Sequence, residues 1–189
     1  MTSPPRDAFG RGSNPLDDAG WKPVAKAPTA VPFRIGHGYD LHRLQPGGKL
    51  MLGGVPVADT LSPVSHSDGD VVLHALVDAL LGALGEGDIG QLFPNTDPRW
   101  KDAASKVFLE EAYGRVKAAG YRVLNCDITI LAERPRLQAF KQSMRESVAR
   151  MIEVPPGQVG VKAGTNEGCD AIGRGEAIAA HAVVLLSAS

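Results

Sequence analysis

An apolar run from Val71 to Leu84 constrains this chain more than any other stretch. Ser67-Asp68-Gly69-Asp70 precedes it and matches the capping box Ser-x-x-Asp, so the spacing predicts a helix entered from this segment. Asp70, His74 and Asp78 lie four apart and form a single polar stripe on an otherwise apolar helix. A polar stripe on a mostly buried helix faces something polar: a metal, an anionic ligand or solvent.

Four of the five histidines lie between His37 and His74, among aspartates and glycines. Imidazole and carboxylate are ligands that zinc accepts. In Asp40-Leu41-His42 the first and third side chains share one face of an extended strand, because strand side chains alternate with period two. His74 is the best-placed third ligand. Three protein ligands leave a fourth position for water or substrate, as in a catalytic rather than a structural site.

At 189 residues and 43% hydrophobic, the chain suits one domain of ordinary size plus a tail. Its net charge of −1, without clustered lysines, argues against nucleic acid as a partner. No apolar run approaches the roughly 20 residues needed to span a bilayer, so no membrane partner is expected. The two cysteines, Cys126 and Cys169, form no Cys-x-x-Cys pattern. They read as free thiols in a reducing compartment, and the expected location is cytoplasmic. Residues 1–32 hold six prolines and three glycines. They read as a disordered or loosely ordered tail. They lack the apolar core of a secretory signal, and their aspartates argue against a transit peptide. The domain is expected over residues 33–189.

Within it, Phe33–Gly36 and Lys49–Leu52 read as short strands, and Gly53-Gly54 as a hairpin turn into Val55-Pro56-Val57. After the Val71–Leu84 helix, the segment Gly85–Gly90 opens a loop that runs through Pro98. A second helix is expected over about Asp102–Ala119, a strand over Tyr121–Ala132, and a third helix over about Leu137–Ile152. Two final strands cover Val159–Thr165 and Ala177–Leu186. The order predicts an α+β domain with helices on one face of a mixed sheet.

Several segments resemble one family collinearly. Arg34-Ile35-Gly36-His37-Gly38-Tyr39-Asp40-Leu41-His42 is similar to the N-terminal signature of the 2-C-methyl-D-erythritol 2,4-cyclodiphosphate synthases. Ser65–Leu76, Asp88–Pro94 and Gly173–Ile178 resemble three further signatures of that family. The resemblance implies a homotrimer of ferredoxin-like α/β subunits with active sites between neighbours, acting in the non-mevalonate route to isoprenoids. The small-molecule substrate it implies is 4-diphosphocytidyl-2-C-methyl-D-erythritol 2-phosphate. The substrate's own phosphate closes the ring and CMP leaves, a phosphorus–oxygen lyase reaction.

The resemblance also implies roles. Asp40, His42 and His74 would hold zinc, and Glu167 a magnesium or manganese ion on the diphosphate. His66 and Thr165 would be catalytic. His66 and the Ser67 amide, close to a helix N-terminus, would bind the attacking phosphate. Asp78, Asp88, Gly90, Asn95 and Asp97 would surround the erythritol. Ala132, Arg136, Leu137, Ala163 and Thr165 would hold the cytidine diphosphate, and Arg174 would also bind substrate. The chain departs from the family at Gly164, Ala171, Asn95 and Arg136, where a threonine, a phenylalanine, an aspartate and a lysine are usual. Two other readings stay open: a zinc-dependent hydrolase of a phosphorylated small molecule, and a non-catalytic trimer that binds an isoprenoid or cytidine diphosphate.

Overall fold

The computed structural model describes residues 31–94, 96, 100 and 103–189. Asn95, Asp97 and residues 1–30 lie outside the described residues. Five strands form one mixed sheet in the order β4-β1-β7-β5-β6. These are β1 Phe33–Pro46, β4 Leu61–Pro63, β5 Tyr121–Leu131, β6 Val159–Gly164 and β7 Ala177–Ala188. All neighbours run antiparallel except β5 and β6. β2 Leu50–Leu52 and β3 Val55–Ala58 form a separate hairpin. Its turn residues Gly53 and Gly54 both have positive φ, the requirement of a two-residue hairpin turn.

The helices are α1 Val71–Leu84, α2 Ile89–Leu92, α3 Ser105–Ala118 and α4 Lys141–Met151. α1 packs against β1 and β7 and is almost wholly buried. On β1 its bed is built from glycine. On β1 the residues facing it are Gly36 and Gly38; opposite them on β7 stand Val184 and Ala182, followed by Ala180 and Ile178. A Cβ on Gly36 would lie 1.8 Å from the Ala79 carbonyl oxygen, and one on Gly38 1.9 Å from that of Ala75. Only glycine permits so close an approach of helix to strand. The opposite sheet face is open: Ile35, Tyr39, Leu41 and Val183 are all exposed there.

Several expectations are corrected. The helix begins at Val71, and its cap is Asp70 rather than Ser67. The Asp70 carboxylate accepts the amides of Val72 and Leu73 and those of Gly53 and Gly54 in the hairpin turn. Asp70 therefore leaves the polar stripe and locks α1 to the hairpin. β1 extends ten residues beyond Gly36, to Pro46. The loop after Gly85 contains α2, capped by the Asp88 side chain at the Gln91 amide. β4 was not anticipated. The third helix opens with a 3-10 turn over Gln138–Phe140.

Candidate active site and metal centre

The period of two in β1 continues past the glycines, so Asp40 and His42 occupy the α1 face after Gly36 and Gly38. β1 and α1 run in opposite senses: Gly36 meets Ala79 and Ala83, whereas Gly38 meets Ala75 and Ala79. Two strand residues advance by nearly the same length as four helix residues. The next step brings Asp40 and His42 to the first turn of α1, where His74 stands.

His74 Nδ1 is 2.9 Å from Asp40 Oδ2 and 3.3 Å from His42 Nε2, and His42 Nε2 is 3.2 Å from the same carboxylate oxygen. A tetrahedral ion with ligands at about 2.0–2.1 Å has ligand–ligand edges of about 3.3 Å. The three atoms thus already form one face of such a shell, and the residues fit a divalent metal. Burial alone would push the Asp40 carboxyl up. Hydrogen bonds from His42 and His74, and their charge when protonated, outweigh it and hold the carboxyl well below the usual range. Asp40 is therefore a ready anionic ligand.

The three ligands open onto a cleft of about 290 Å³ that His66, Ser67 and Gly90 also line. Phe93, Trp100 and Phe108 form its apolar wall, with ring centroids 4.7–5.8 Å apart. A wall of that kind excludes water and strengthens charge interactions in the cleft. Asp78 accepts the Ile89 amide at 2.8 Å and so seats α2 and Gly90 on the cleft rim. Burial, together with the charges of Asp88 and Asp40, pushes its carboxyl up despite that bond.

The structure brings together Asp40, His42, His74, His66, Ser67 and Gly90. It does not bring the cytidine set to this cleft. Ala132 follows the end of β5 and donates its amide to the Gly164 carbonyl at the end of β6. Leu137 is buried, whereas Arg136, Thr165 and Glu167 are exposed. Glu167 has φ +50° in the loop after β6, with its amide on Thr165 Oγ1. Arg174 is paired with Glu176. One sheet row runs from Asp40 through Ala180 and Ile130 to Ala163. Three strand spacings of about 4.8 Å put about 14 Å between the two groups.

Two of the first amides of α1, those of Val72 and Leu73, are taken by the Asp70 carboxylate. Residues unmarked by the sequence reading also enter the site: the aromatic wall, and Asp68 and Ser105 behind His74. A wider groove of about 600 Å³ lies between α3 and α4. It holds none of the predicted site residues, and its Lys106 and Lys117 are paired with Glu110 and Glu153.

The profile of the YgbB family matches residues 33–187. A chloroplastic 2-C-methyl-D-erythritol 2,4-cyclodiphosphate synthase of Oryza sativa is 48% identical over 86% of this chain and 73% of its own length. The synthase of Moorella thermoacetica is 54% identical over 82% of this chain and 94% of its own. A solved 2C-methyl-D-erythritol-2,4-cyclodiphosphate synthase in its CDP-bound form superposes with a TM-score of 0.76 at 42% identity, over 82% of this chain and all of the other. With the matching segments carrying the Asp40–His42–His74 cluster at the mouth of the cleft, the chain belongs to the YgbB family, that of the 2-C-methyl-D-erythritol 2,4-cyclodiphosphate synthases.

Proposed function

We propose that this chain converts 4-diphosphocytidyl-2-C-methyl-D-erythritol 2-phosphate to 2-C-methyl-D-erythritol 2,4-cyclodiphosphate and CMP, in the non-mevalonate route to isoprenoid precursors. The observation that carries the reading is the three-ligand cluster on the cleft, within a chain of this family. An oxygen of the substrate's 2-phosphate bonds to the β-phosphorus. The bond from that phosphorus to the bridging oxygen breaks, and the electron pair leaves on CMP. Because the nucleophile belongs to the substrate, the protein needs no activated side chain. Its work is positioning and charge neutralisation.

Asp40, His42 and His74 would hold zinc, which when bound would supply a Lewis acid. His66 and Ser67, which line the same cleft, orient the attacking phosphate. Asp78 and Asp88 each use one oxygen to build α2 and keep the other for the erythritol hydroxyls, beside Gly90. Asn95 and Asp97, outside the described residues, would also bind the erythritol. Glu167 would hold magnesium or manganese, which when bound would neutralise diphosphate charge, and Thr165 would act with it in catalysis. Ala132, Arg136, Leu137, Ala163 and Thr165 receive the cytidine diphosphate, and Arg174 also binds substrate.

The separation of about 14 Å between the two groups within one chain supports a homotrimer of ferredoxin-like subunits in which a neighbour supplies the second group. The open apolar face of the sheet supports the same assembly. The two free thiols accord with a reducing compartment, and we assign the cytoplasm.

The test is CMP release from the diphosphocytidyl substrate with zinc and magnesium present. The cyclic diphosphate is the expected product. A linear product would identify a hydrolase, and no release a binding protein. The His42→Ala variant should lose both turnover and bound zinc while staying folded. Stoichiometric zinc in that variant would overturn the ligand assignment.

A further inference from the structure

Ser105 is fully buried, starts α3 and lies 31 residues from His74 in sequence, outside every segment that resembles a family signature. Its hydroxyl oxygen is 2.8 Å from His74 Nε2. On its other side it donates a hydrogen bond to Asp68 Oδ1. Asp68 Oδ2 accepts the Ser105 amide at 3.1 Å, Asp68 Oδ1 accepts the Asp70 amide at 3.3 Å, and the Asp68 amide donates to the Ala103 carbonyl. The carboxylate is thereby held from both sides.

We infer that Ser105, oriented by Asp68, is a positioning residue that fixes the ring tautomer of His74 and with it the metal-binding nitrogen. The inference rests on the reading of Asp40, His42 and His74 as metal ligands. Nδ1 is the ring nitrogen that meets Asp40 and His42, so it must be bare to bind a metal. The single ring proton then belongs on Nε2 and needs an acceptor there. A serine hydroxyl is ambivalent, since it donates one hydrogen and accepts others. A free serine could donate to Nε2 and stabilise the opposite tautomer. Asp68 removes that choice, because the carboxylate takes the one hydroxyl hydrogen and leaves the oxygen as acceptor toward His74. A hydrogen bond of this kind behind a ligating histidine orients the ring and raises its basicity.

Ser67 Oγ also approaches Nε2, at 3.2 Å. It is longer, it already accepts the Gly69 amide at 3.1 Å, and besides Nε2 itself the neighbour for its hydroxyl hydrogen among the described residues is Ser65 Oγ at 3.4 Å. No carboxylate fixes its direction among these contacts. The relay therefore runs through Ser105, and it ties the start of α3 to the metal centre on β1 and α1.

The competing role is structural. Ala104 provides no side-chain cap for α3, and Asp68 supplies one at the Ser105 amide. Ser105→Ala separates the two roles, because it keeps the backbone amide and its bond to Asp68 and removes only the hydroxyl. Zinc affinity is measured by chelator competition on the unaltered protein and on Ser105→Ala, with circular dichroism to verify folding. The loss expected is about 10- to 100-fold. Ser67→Ala should stay near the unaltered affinity; an equal loss there would move the role to Ser67 and overturn the inference. Nitrogen-15 spectra of the zinc-loaded, unaltered protein give a second readout independent of any variant. They should show a slowly exchanging Nε2–H on His74. A ring proton on Nδ1, or full zinc affinity in folded Ser105→Ala, would overturn the inference alone. Failure of the unaltered protein to bind zinc would overturn the metal reading as well.

Discussion

Asp70 shows how one side chain can serve two elements. It is fully buried and accepts four backbone amides, two from α1 and two from the hairpin turn. Burial pushes its carboxyl up, although the amides of Gly54, Gly53 and Leu73 pull the other way. Asp70→Ala removes the cap and strands four donors, while relieving the cost of a buried carboxylate. The net loss should be about 2–4 kcal/mol by denaturant unfolding. Cys126 is a second case. Burial, then the charge of Asp127, pushes its thiol up to about 12 from an ordinary 9.0. Cys169 is exposed. A thiol reagent should therefore modify Cys169 in the native protein and reach Cys126 only on unfolding. Between those two pH values the native chain keeps the Cys126 proton that the unfolded chain has lost. Stability should accordingly fall as pH rises through that interval, as alkaline unfolding curves would show.

At the scale of elements, the metal centre depends on how closely α1 lies on β1. Gly38→Ala would put a methyl group 1.9 Å from the Ala75 carbonyl oxygen and 2.7 Å from the Ala79 amide nitrogen. Both contacts are backbone, so no side chain can rotate away. The variant should lose about 3 kcal/mol or more. Because the displaced strand also carries Asp40 and His42, zinc affinity should fall with stability. Unchanged zinc binding in a destabilised Gly38→Ala protein would mean that the ligands adjust independently of the strand–helix distance.

For the whole molecule, the proposed trimer makes a quantitative demand. A cyclic trimer has heterologous interfaces, so each subunit lends one half to each of two sites. His74→Ala and Glu167→Ala trimers should each be inactive. Refolded together in equal amounts, they should regain about one quarter of the sites, since each half must come independently from the intact parent. No recovery, with mixed trimers verified by native mass spectrometry, would place both halves in a single subunit.

The sequence by itself determined whatever depends on local period and residue chemistry. Alternation put Asp40 and His42 on one strand face, the apolar run marked α1, and imidazole with carboxylate specified a divalent metal. Positions of the main strands and helices were legible for the same reason. β4 and α2 were not, because elements of three or four residues show no period and nothing like the Gly53-Gly54 turn that marked β2 and β3 flags them. The polar stripe misassigned Asp70, since spacing by four cannot tell a helix's first turn from its cap. That distinction is a backbone angle at residue 70, together with a hairpin that offers two amides. Only the tertiary structure decided which nitrogen of His74 faces the metal cluster and what stands behind it. Ser105 meets His74 and Asp68 through the packing of α3 against α1, a contact between distant segments that no local pattern encodes.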